Sequence, residues 1–181
     1  MSVEPADPVL LHHVIVVGGT LAEWAGLSDE QWSTRLTELG KVADHVGARW
    51  LVLRPYGPSV GLEVEPTLPE RSATVGSCSV VAQPDADGRR RLARAAGALQ
   101  ASGSQITEAT ISAQLNAPAT VDPDLAVVLA PSHRMPPSLV WELAYSELVF
   151  VDTEWQYFGP QQLDEAMASY AHRHRRFGGV D

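Results

Sequence analysis

The segment Val14-Ile15-Val16-Val17-Gly18-Gly19 decides the fold class of this chain. A continuous β-branched run is typical of a strand that is buried on both faces of a parallel sheet. The two glycines end that strand, and an amphipathic helix follows, with Ser28 as its N-cap and its end near His45. The next apolar run, at residues 50–53, completes a β–α–β unit, which predicts two neighbouring parallel strands.

Alternating strand and helix signals continue to the end of the chain. Further strands are predicted at residues 78–82, 124–130 and 149–151, and further helices at residues 85–99, 106–115, 138–147 and 161–175. Residues 54–76 are rich in proline and glycine and are predicted to form a loop region. We therefore predict one α/β domain over residues 1–181, with a mainly parallel central sheet flanked by helices and a flexible N-terminus at residues 1–10.

The composition excludes several classes of protein. There are 22 acidic residues against 13 basic ones, a net charge of −9, and so acidic a surface repels nucleic acid. The single cysteine, Cys78, excludes a disulfide framework and a cysteine-based zinc site. No apolar run approaches the roughly 20 residues of a membrane-spanning helix, and the first residues are acidic, unlike a signal sequence. We therefore expect a soluble, intracellular domain.

Two motifs leave their function open when the residues are considered alone. Gly18-Gly19 stands where a dinucleotide site would lie, but the third glycine and the later acidic residue of that fingerprint are missing, which favours a tight turn. Arg173, Arg175 and Arg176 make a basic end to the last helix. They either complement the helix dipole, which we favour from the residues alone, or hold an anion.

Longer motifs occur at both ends of the chain. They are His13-Val14-Ile15-Val16-Val17 with Trp24-Ala25, then Asp122-Pro123-Asp124-Leu125, the run from Leu139 to Leu148, and the ending from Tyr170 to Gly179. Together they resemble the cis-prenyltransferases of the undecaprenyl diphosphate synthase family, over most of the chain and most specifically at the C-terminus. The resemblance implies an undecaprenyl diphosphate synthase-like α/β fold, shortened at residues 54–76, where the family has long helices that enclose a tunnel for the prenyl chain.

The resemblance also indicates which catalytic features this chain lacks. The family joins isopentenyl diphosphate to an allylic diphosphate, and the aspartate of its Asp-Gly-Asn motif works with Mg²⁺. Gly19 stands at that aspartate position, and Glu23 replaces a basic residue of the family. In the arginine-rich signature, Val128 replaces the first arginine, Arg134 keeps the second, and Pro136 replaces the serine. We therefore assign no catalytic residue, and we predict that Arg134 is a vestigial substrate-binding residue.

These losses are similar to those of the non-catalytic subunits of heteromeric cis-prenyltransferases, of the Nogo-B receptor type. In such subunits a C-terminal Arg-x-Gly reaches the diphosphate and Mg²⁺ site of a catalytic partner. Arg176, Gly178 and Gly179 match that tail, so the resemblance implies that they bind diphosphate or complete the partner's site. It further implies that Glu147 is a metal ligand, and that residues 139–150, a sheet edge and helices, form the partner interface.

We therefore predict a non-catalytic accessory subunit of a heteromeric cis-prenyltransferase. Its catalytic partner would condense isopentenyl diphosphate with an allylic diphosphate and would hold most of the Mg²⁺ ligands. The expected location is the cytoplasm, peripheral to the membrane through the partner, without a transmembrane segment. Two alternatives remain. One is an active enzyme of the same fold that performs short-chain or irregular prenyl transfer or a cyclisation, and the other is a binding module that kept only the fold. In either case, residues 54–76 are too few to enclose a tunnel of the family's size.

Overall fold

The computed structural model describes residues 11–58, 66–129 and 134–177. The predicted flexible N-terminus, at residues 1–10, lies outside these ranges. The strands are β1 (His13–Val17), β2 (Trp50–Arg54), β3 (Arg71–Val75), β4 (Cys78–Ala82), β5 (Leu125–Leu129) and β6 (Glu147–Val151). The helices are α1 (Leu21–Ala25), α2 (Asp29–His45), α3 (Gly88–Ala101), α4 (Glu108–Asn116) and α5 (Pro160–Phe177), with 3₁₀ turns at Glu142–Ala144 and Trp155–Tyr157.

These six strands form one sheet, in the order β3-β4-β2-β1-β5-β6. Neighbouring strands are parallel except β3 and β4, which form an antiparallel hairpin. The prediction of a mainly parallel α/β sheet flanked by helices is therefore confirmed. The chain first builds the sheet on the β2 side of β1 and then crosses to add β5 and β6 on the other side. This reversal places a topological switch point at the carboxyl ends of β1 and β5, where sheets of this kind bind ligands.

Strand β1 is buried along its whole length, as its continuous β-branched run predicts. Val14 and Val16 face the main core beneath α2 and α5, whereas Ile15 and Val17 pack on the opposite face of the sheet. No helix in the described ranges has the length and apolarity that crossing a lipid bilayer would require.

Strand β3 lies in the stretch that the sequence predicts to be a loop, so that part of the prediction is wrong. β3 is an edge strand whose residues alternate between half-buried and exposed, and it therefore lacks the apolar run that marks a central strand. The two-residue turn Gly76-Ser77 joins it to β4, with Gly76 at φ +58°. Asp44 of α2 accepts hydrogen bonds from the amide and hydroxyl of Ser77 at 2.7 and 2.9 Å. This contact holds the hairpin against α2.

The prediction of a helix at residues 138–147 is also wrong, because only the 3₁₀ turn at Glu142–Ala144 forms there. The Glu142 carboxylate accepts a hydrogen bond from the Val140 amide, and the Ser146 hydroxyl donates to the Glu142 carbonyl at 2.7 Å. Such local bonds between side chains and backbone compete with a regular helix. The predicted interface at residues 139–150 is therefore an irregular segment followed by the edge strand β6.

Helix α5 crosses one face of the sheet from end to end. It follows the 3₁₀ turn that contains Trp155, which packs on Gly19 just beyond the carboxyl end of β1. Near its C-terminus, Arg173 Nη1 lies 3.3 Å from the carboxylate of Glu147, the first residue of β6. Since Glu147 is paired with Leu125 at the amino end of β5, α5 ends at the amino edge of the sheet.

Candidate functional site

Two of the predicted site positions meet at the carboxyl edge of the sheet. Gly19 follows β1 directly, and Arg134 follows β5 and is exposed to solvent. Tyr56, which follows β2, donates its amide to the Gly19 carbonyl at 2.8 Å and its hydroxyl to the Arg134 carbonyl at 2.9 Å. The structure therefore brings Gly19 and Arg134 to the same edge, at the switch point of the sheet.

The space beside Gly19 is already filled. Gly19 has φ +72°, and a Cβ atom added there would lie 2.7 Å from Cγ of Trp155. That distance is well inside van der Waals contact, and positive φ is also unfavourable for residues with a side chain. At the position where the resemblance implies a missing carboxylate, this backbone therefore has no room for one.

Trp155 belongs to a buried cluster of three tryptophans. Its ring stacks on Trp24 with centroids 5.4 Å apart, and Trp32 lies 6.0 Å from Trp155 and 5.0 Å from Trp24. The guanidinium of Arg35 lies 4.3 Å from the Trp155 ring centroid and donates to the Trp155 carbonyl at 3.0 Å. Burial lowers the pKa of Arg35 from its usual value. Stacked rings and a cation over them make Trp155 a fixed part of the core.

Glu23 has a structural role at the start of α1. Its carboxylate accepts hydrogen bonds from the amide of Thr20 at 2.7 Å and from the Thr20 hydroxyl at 3.0 Å, while the Thr20 hydroxyl accepts from the Glu23 amide. This reciprocal pair is a capping box. The Thr20 amide is therefore already bonded to the Glu23 carboxylate. The loop after β1 thus presents a negative charge where a diphosphate would need hydrogen-bond donors.

Two further signature positions that the structure describes, Val128 and Pro136, supply no cation in place of the missing arginine. Val128 is fully buried within β5, and Pro136 is buried and has no amide hydrogen. Arg134 is thus the one cation of that signature among the described residues.

Glu147, predicted as a metal ligand, lies at the opposite edge of the sheet from Gly19. The five residues of β6 separate the two edges by about 13 Å, at about 3.3 Å per residue. Its carboxylate pairs with Arg173 at 3.3 Å. No group of three or more His, Cys, Asp or Glu side chains in the described ranges could hold a metal ion. Gly19 itself offers no carboxylate to Mg²⁺, and the metal role of Glu147 stays a prediction.

The last turn of α5, from which the predicted tail continues, lies at the same edge as Glu147. α5 extends beyond its predicted end, through Arg176 to Phe177, so Arg176 belongs to the last helical turn. Gly178 and Gly179 lie outside the described residues, and their diphosphate role stays a prediction. The end of α5 thus lies at the amino edge, on the far side of the sheet from Gly19 and Arg134.

A cavity of about 670 Å³ opens beside the carboxyl end of β4. Leu21 of α1 borders one side, and the opposite wall is α3 with Arg90, Arg91 and Arg94. Arg94 is paired with Asp85, so part of the charge in the wall is internally neutralised. The lining mixes charged side chains with alanines and leucines, and Gly19 is not part of it.

A buried charge cluster, Arg54, Arg91 and Glu142, lies behind this cavity. Arg91 forms an ion pair with Glu142, and Arg54 Nη1 lies 3.7 Å from the same carboxylate. Burial raises the pKa of Glu142, but the two arginines outweigh it and the net shift is downward. Burial and the neighbouring Arg91 lower the pKa of Arg54 to about 9. The cluster joins β2, α3 and the segment before β6.

The sequence interpretation missed both the tryptophan cluster and the buried charge cluster. A signal for the second was present, because Arg54 ends a buried strand and Glu142 interrupts an apolar run, and buried charges need partners. No comparable signal marked Trp155 as the residue that fills the space at Gly19, since that contact spans 136 positions of the chain.

Comparison with known proteins assigns this chain to a protein family. Residues 76–178 match the family model described as "Putative undecaprenyl diphosphate synthase". This span is more than half of the chain, so the chain belongs to the undecaprenyl diphosphate synthase family of prenyltransferases, as the sequence motifs predict.

Two curated relatives illustrate the match. Isoprenyl transferase 2 of Bradyrhizobium diazoefficiens is 39% identical over 98 residues, which are 54% of this chain and 39% of the relative. The isoprenyl transferase of Neisseria meningitidis serogroup B is 40% identical over 95 residues, which are 52% of this chain and 38% of the relative. The matched segment thus spans only about two fifths of these relatives.

Two solved structures share the fold over nearly their whole length. Lavandulyl diphosphate synthase from Lavandula x intermedia, solved with dimethylallyl diphosphate, has a TM-score of 0.60 at 18% identity, covering 91% of this chain and 97% of that one. A probable undecaprenyl diphosphate synthase from Campylobacter jejuni has a TM-score of 0.59 at 13% identity, covering 90% and 96%. At these identities the similarity is one of fold.

Proposed function

We propose that this chain is a non-catalytic accessory subunit of a heteromeric cis-prenyltransferase. Its catalytic partner would be a family member that carries the Asp-Gly-Asn motif and condenses isopentenyl diphosphate with an allylic diphosphate. The tail, Arg176 with Gly178 and Gly179, would complete the partner's diphosphate site, and Mg²⁺ would be held mainly by the partner.

The observation that carries this proposal is the contact between Trp155 and Gly19. Ionising an allylic diphosphate requires stabilisation of the charge on the leaving group. At the switch point of this chain, the place of a metal-binding carboxylate is occupied by an indole ring, and Glu23 adds a negative charge nearby. Neither group can stabilise departing diphosphate.

The path of α5 supports a role for the tail in another chain. Arg173 and Glu147 fix the end of α5 at the amino edge of the sheet, whereas this chain's own switch point lies at the carboxyl edge. A tail that starts from the amino edge is poorly placed to serve its own domain and well placed to serve a neighbour.

The 670 Å³ cavity supports a second candidate, an active enzyme with short-chain prenyl chemistry. Its volume is in the range that small-molecule sites occupy, and its wall contains the apolar Leu21 and the basic Arg90. Lavandulyl diphosphate synthase, which shares the fold, was solved in complex with dimethylallyl diphosphate.

One experiment separates the two candidates. The isolated chain, the catalytic partner from the same genome, and their mixture are each supplied with Mg²⁺, isopentenyl diphosphate and either farnesyl or dimethylallyl diphosphate. The accessory role predicts no product from the isolated chain and a higher turnover in the mixture than with the partner alone. Product from dimethylallyl diphosphate by the isolated chain would refute the accessory role and support the second candidate.

A further inference from the structure

Tyr56 makes three hydrogen bonds that tie the loops of the switch point together. Its amide donates to the Gly19 carbonyl at 2.8 Å, and its carbonyl accepts from the Ser138 amide at 3.3 Å. Its hydroxyl donates to the Arg134 carbonyl at 2.9 Å. The first two bonds use the backbone and would survive a change of side chain, whereas the third depends on the tyrosine hydroxyl.

Backbone contacts hold the far end of the segment that contains Arg134: the Gly88 amide donates to the Pro137 carbonyl at 3.0 Å, and Arg91 donates to the Ser138 carbonyl at 2.9 Å. At the Arg134 end, the described residues supply fewer bonds. Pro136 and Pro137 have no amide hydrogen to donate, and Arg134 and Met135 are exposed. Pro137 packs closely on Gly57, where an added Cβ would lie 3.1 Å from the proline ring. The Tyr56 hydroxyl therefore anchors the segment at its Arg134 end, and the Gly57 contact anchors it at Pro137.

The Arg134 side chain remains available to a ligand. Arg54, Arg91 and Arg173 are each engaged by a carboxylate. For Arg134, by contrast, no ion pair with a described carboxylate is formed, and the residue is exposed at the carboxyl edge. An exposed guanidinium on an anchored backbone is suited to bind a phosphate group, because less conformational entropy is lost on binding.

We propose that Tyr56 is a positioning residue that holds Arg134 for binding the phosphate groups of a diphosphate ligand. The ligand class rests on the prediction from the family resemblance that Arg134 is a vestigial substrate-binding residue, and it is independent of the accessory role. The mechanical part, that the hydroxyl of Tyr56 fixes the segment at residues 134–138, rests on the geometry alone.

The test uses the full chain and the variants Tyr56→Phe, Arg134→Ala and their combination. Tyr145→Phe is the matched control, since the exposed Tyr145 hydroxyl also makes one hydrogen bond, to Glu108 at 3.3 Å. Amide hydrogen exchange at Arg134 and Met135 reports the anchoring. Calorimetric titration with inorganic diphosphate, and separately with isopentenyl diphosphate, reports the binding.

We expect Tyr56→Phe to accelerate exchange at these amides and to weaken diphosphate binding roughly two- to tenfold, the effect of one hydrogen bond. Tyr145→Phe should change neither quantity. In the Arg134→Ala background, Tyr56→Phe should cause no further loss of affinity, because it acts through Arg134.

Three results would overturn the inference, and each bears on a different part of it. Unchanged amide exchange in Tyr56→Phe removes the anchoring role. Additive losses in the double variant show that Tyr56 affects binding by another route. Unchanged affinity in Arg134→Ala removes both the inference and the substrate role of Arg134, while the accessory function is still decided by the mixing experiment.

Discussion

The indole ring of Trp155 lies over Gly19, so close that a Cβ atom on Gly19 would come within 2.7 Å of the ring. The resemblance implies an aspartate at this position in the family, and in this chain the Trp155 ring leaves no room for its side chain. The tryptophan cluster and Arg35 hold the ring in place, so restoring the carboxylate requires more than a change at residue 19.

Gly19→Asp should destabilise the fold by more than its backbone conformation alone explains. Gly103 is the matched control, because it has φ +71° with nothing within 4 Å of an added Cβ. We expect Gly103→Asp to cost about 1–2 kcal/mol for the left-handed conformation, and Gly19→Asp about 1–3 kcal/mol more for overpacking against Trp155. Urea denaturation of both variants measures the difference. Equal losses would show that Trp155 moves aside freely.

Gly19→Asp should also fail to restore catalysis in the isolated chain. Glu23 would still present a negative charge, and Val128 and Pro136 would still offer no donors. We expect no product from farnesyl diphosphate and isopentenyl diphosphate with Mg²⁺, measured with radiolabelled isopentenyl diphosphate. Turnover by this single variant would mean that the missing aspartate was the sole defect.

Arg176→Ala should lower the turnover of the complex without preventing its assembly. Losing one charge-assisted donor to diphosphate costs about 1.5–3 kcal/mol, or roughly ten- to a hundredfold in rate if it acts in the transition state. Arg89→Ala is the control, because Arg89 is an exposed arginine on α3. Turnover at saturating subunit and the dissociation constant from the partner are measured together. If only the dissociation constant changes, the tail is an interface element.

Glu142→Gln should be strongly destabilising at neutral pH, because it leaves Arg54 and Arg91 buried without a counter-charge. Breaking a buried pair in this way costs about 3–5 kcal/mol. Glu38→Gln, an exposed change on α2, should have little effect.

The destabilisation caused by Glu142→Gln should also depend on pH. The folded-state pKa of Glu142 is lowered from 4.5, so its contribution is complete above pH 4.5 and is lost as the pH falls through the lower folded value. The gap in unfolding free energy between the wild type and Glu142→Gln should therefore narrow below about pH 4.5. A gap that stays constant down to pH 3 would show that the carboxylate is not ionised in the cluster.

The central strands could be predicted from sequence because strands that are buried on both faces have continuous apolar runs. β1, β2, β4 and β5 have this pattern, and they form the centre of the sheet. β3 could not be found in this way, since an exposed edge strand needs no apolar run. The Gly76-Ser77 turn was the better signal for that hairpin.

The candidate site was harder to predict because its key contacts join distant parts of the chain. The glycine at position 19 could be singled out from the motif, but its neighbour Trp155 could not. Likewise, residues 138–147 have the composition of a helix. They do not form one, and Glu142 is instead paired with Arg54 and Arg91. Tertiary contacts thus override local propensity at the points where the site is shaped.

If this chain completes a partner's site as proposed, the path of α5 constrains how the two chains assemble. If the residues beyond α5, which ends at the amino edge, are to reach a partner's carboxyl edge, the two sheets must lie antiparallel about an approximate twofold axis. Each tail would then reach the carboxyl edge of the other chain. Only this chain's tail would meet a working site, because the partner's tail would arrive at a crevice that Trp155 closes. Such a heterodimer has one working centre for every two chains, and titration of active sites with a tight-binding substrate analogue would count half as many sites as subunits.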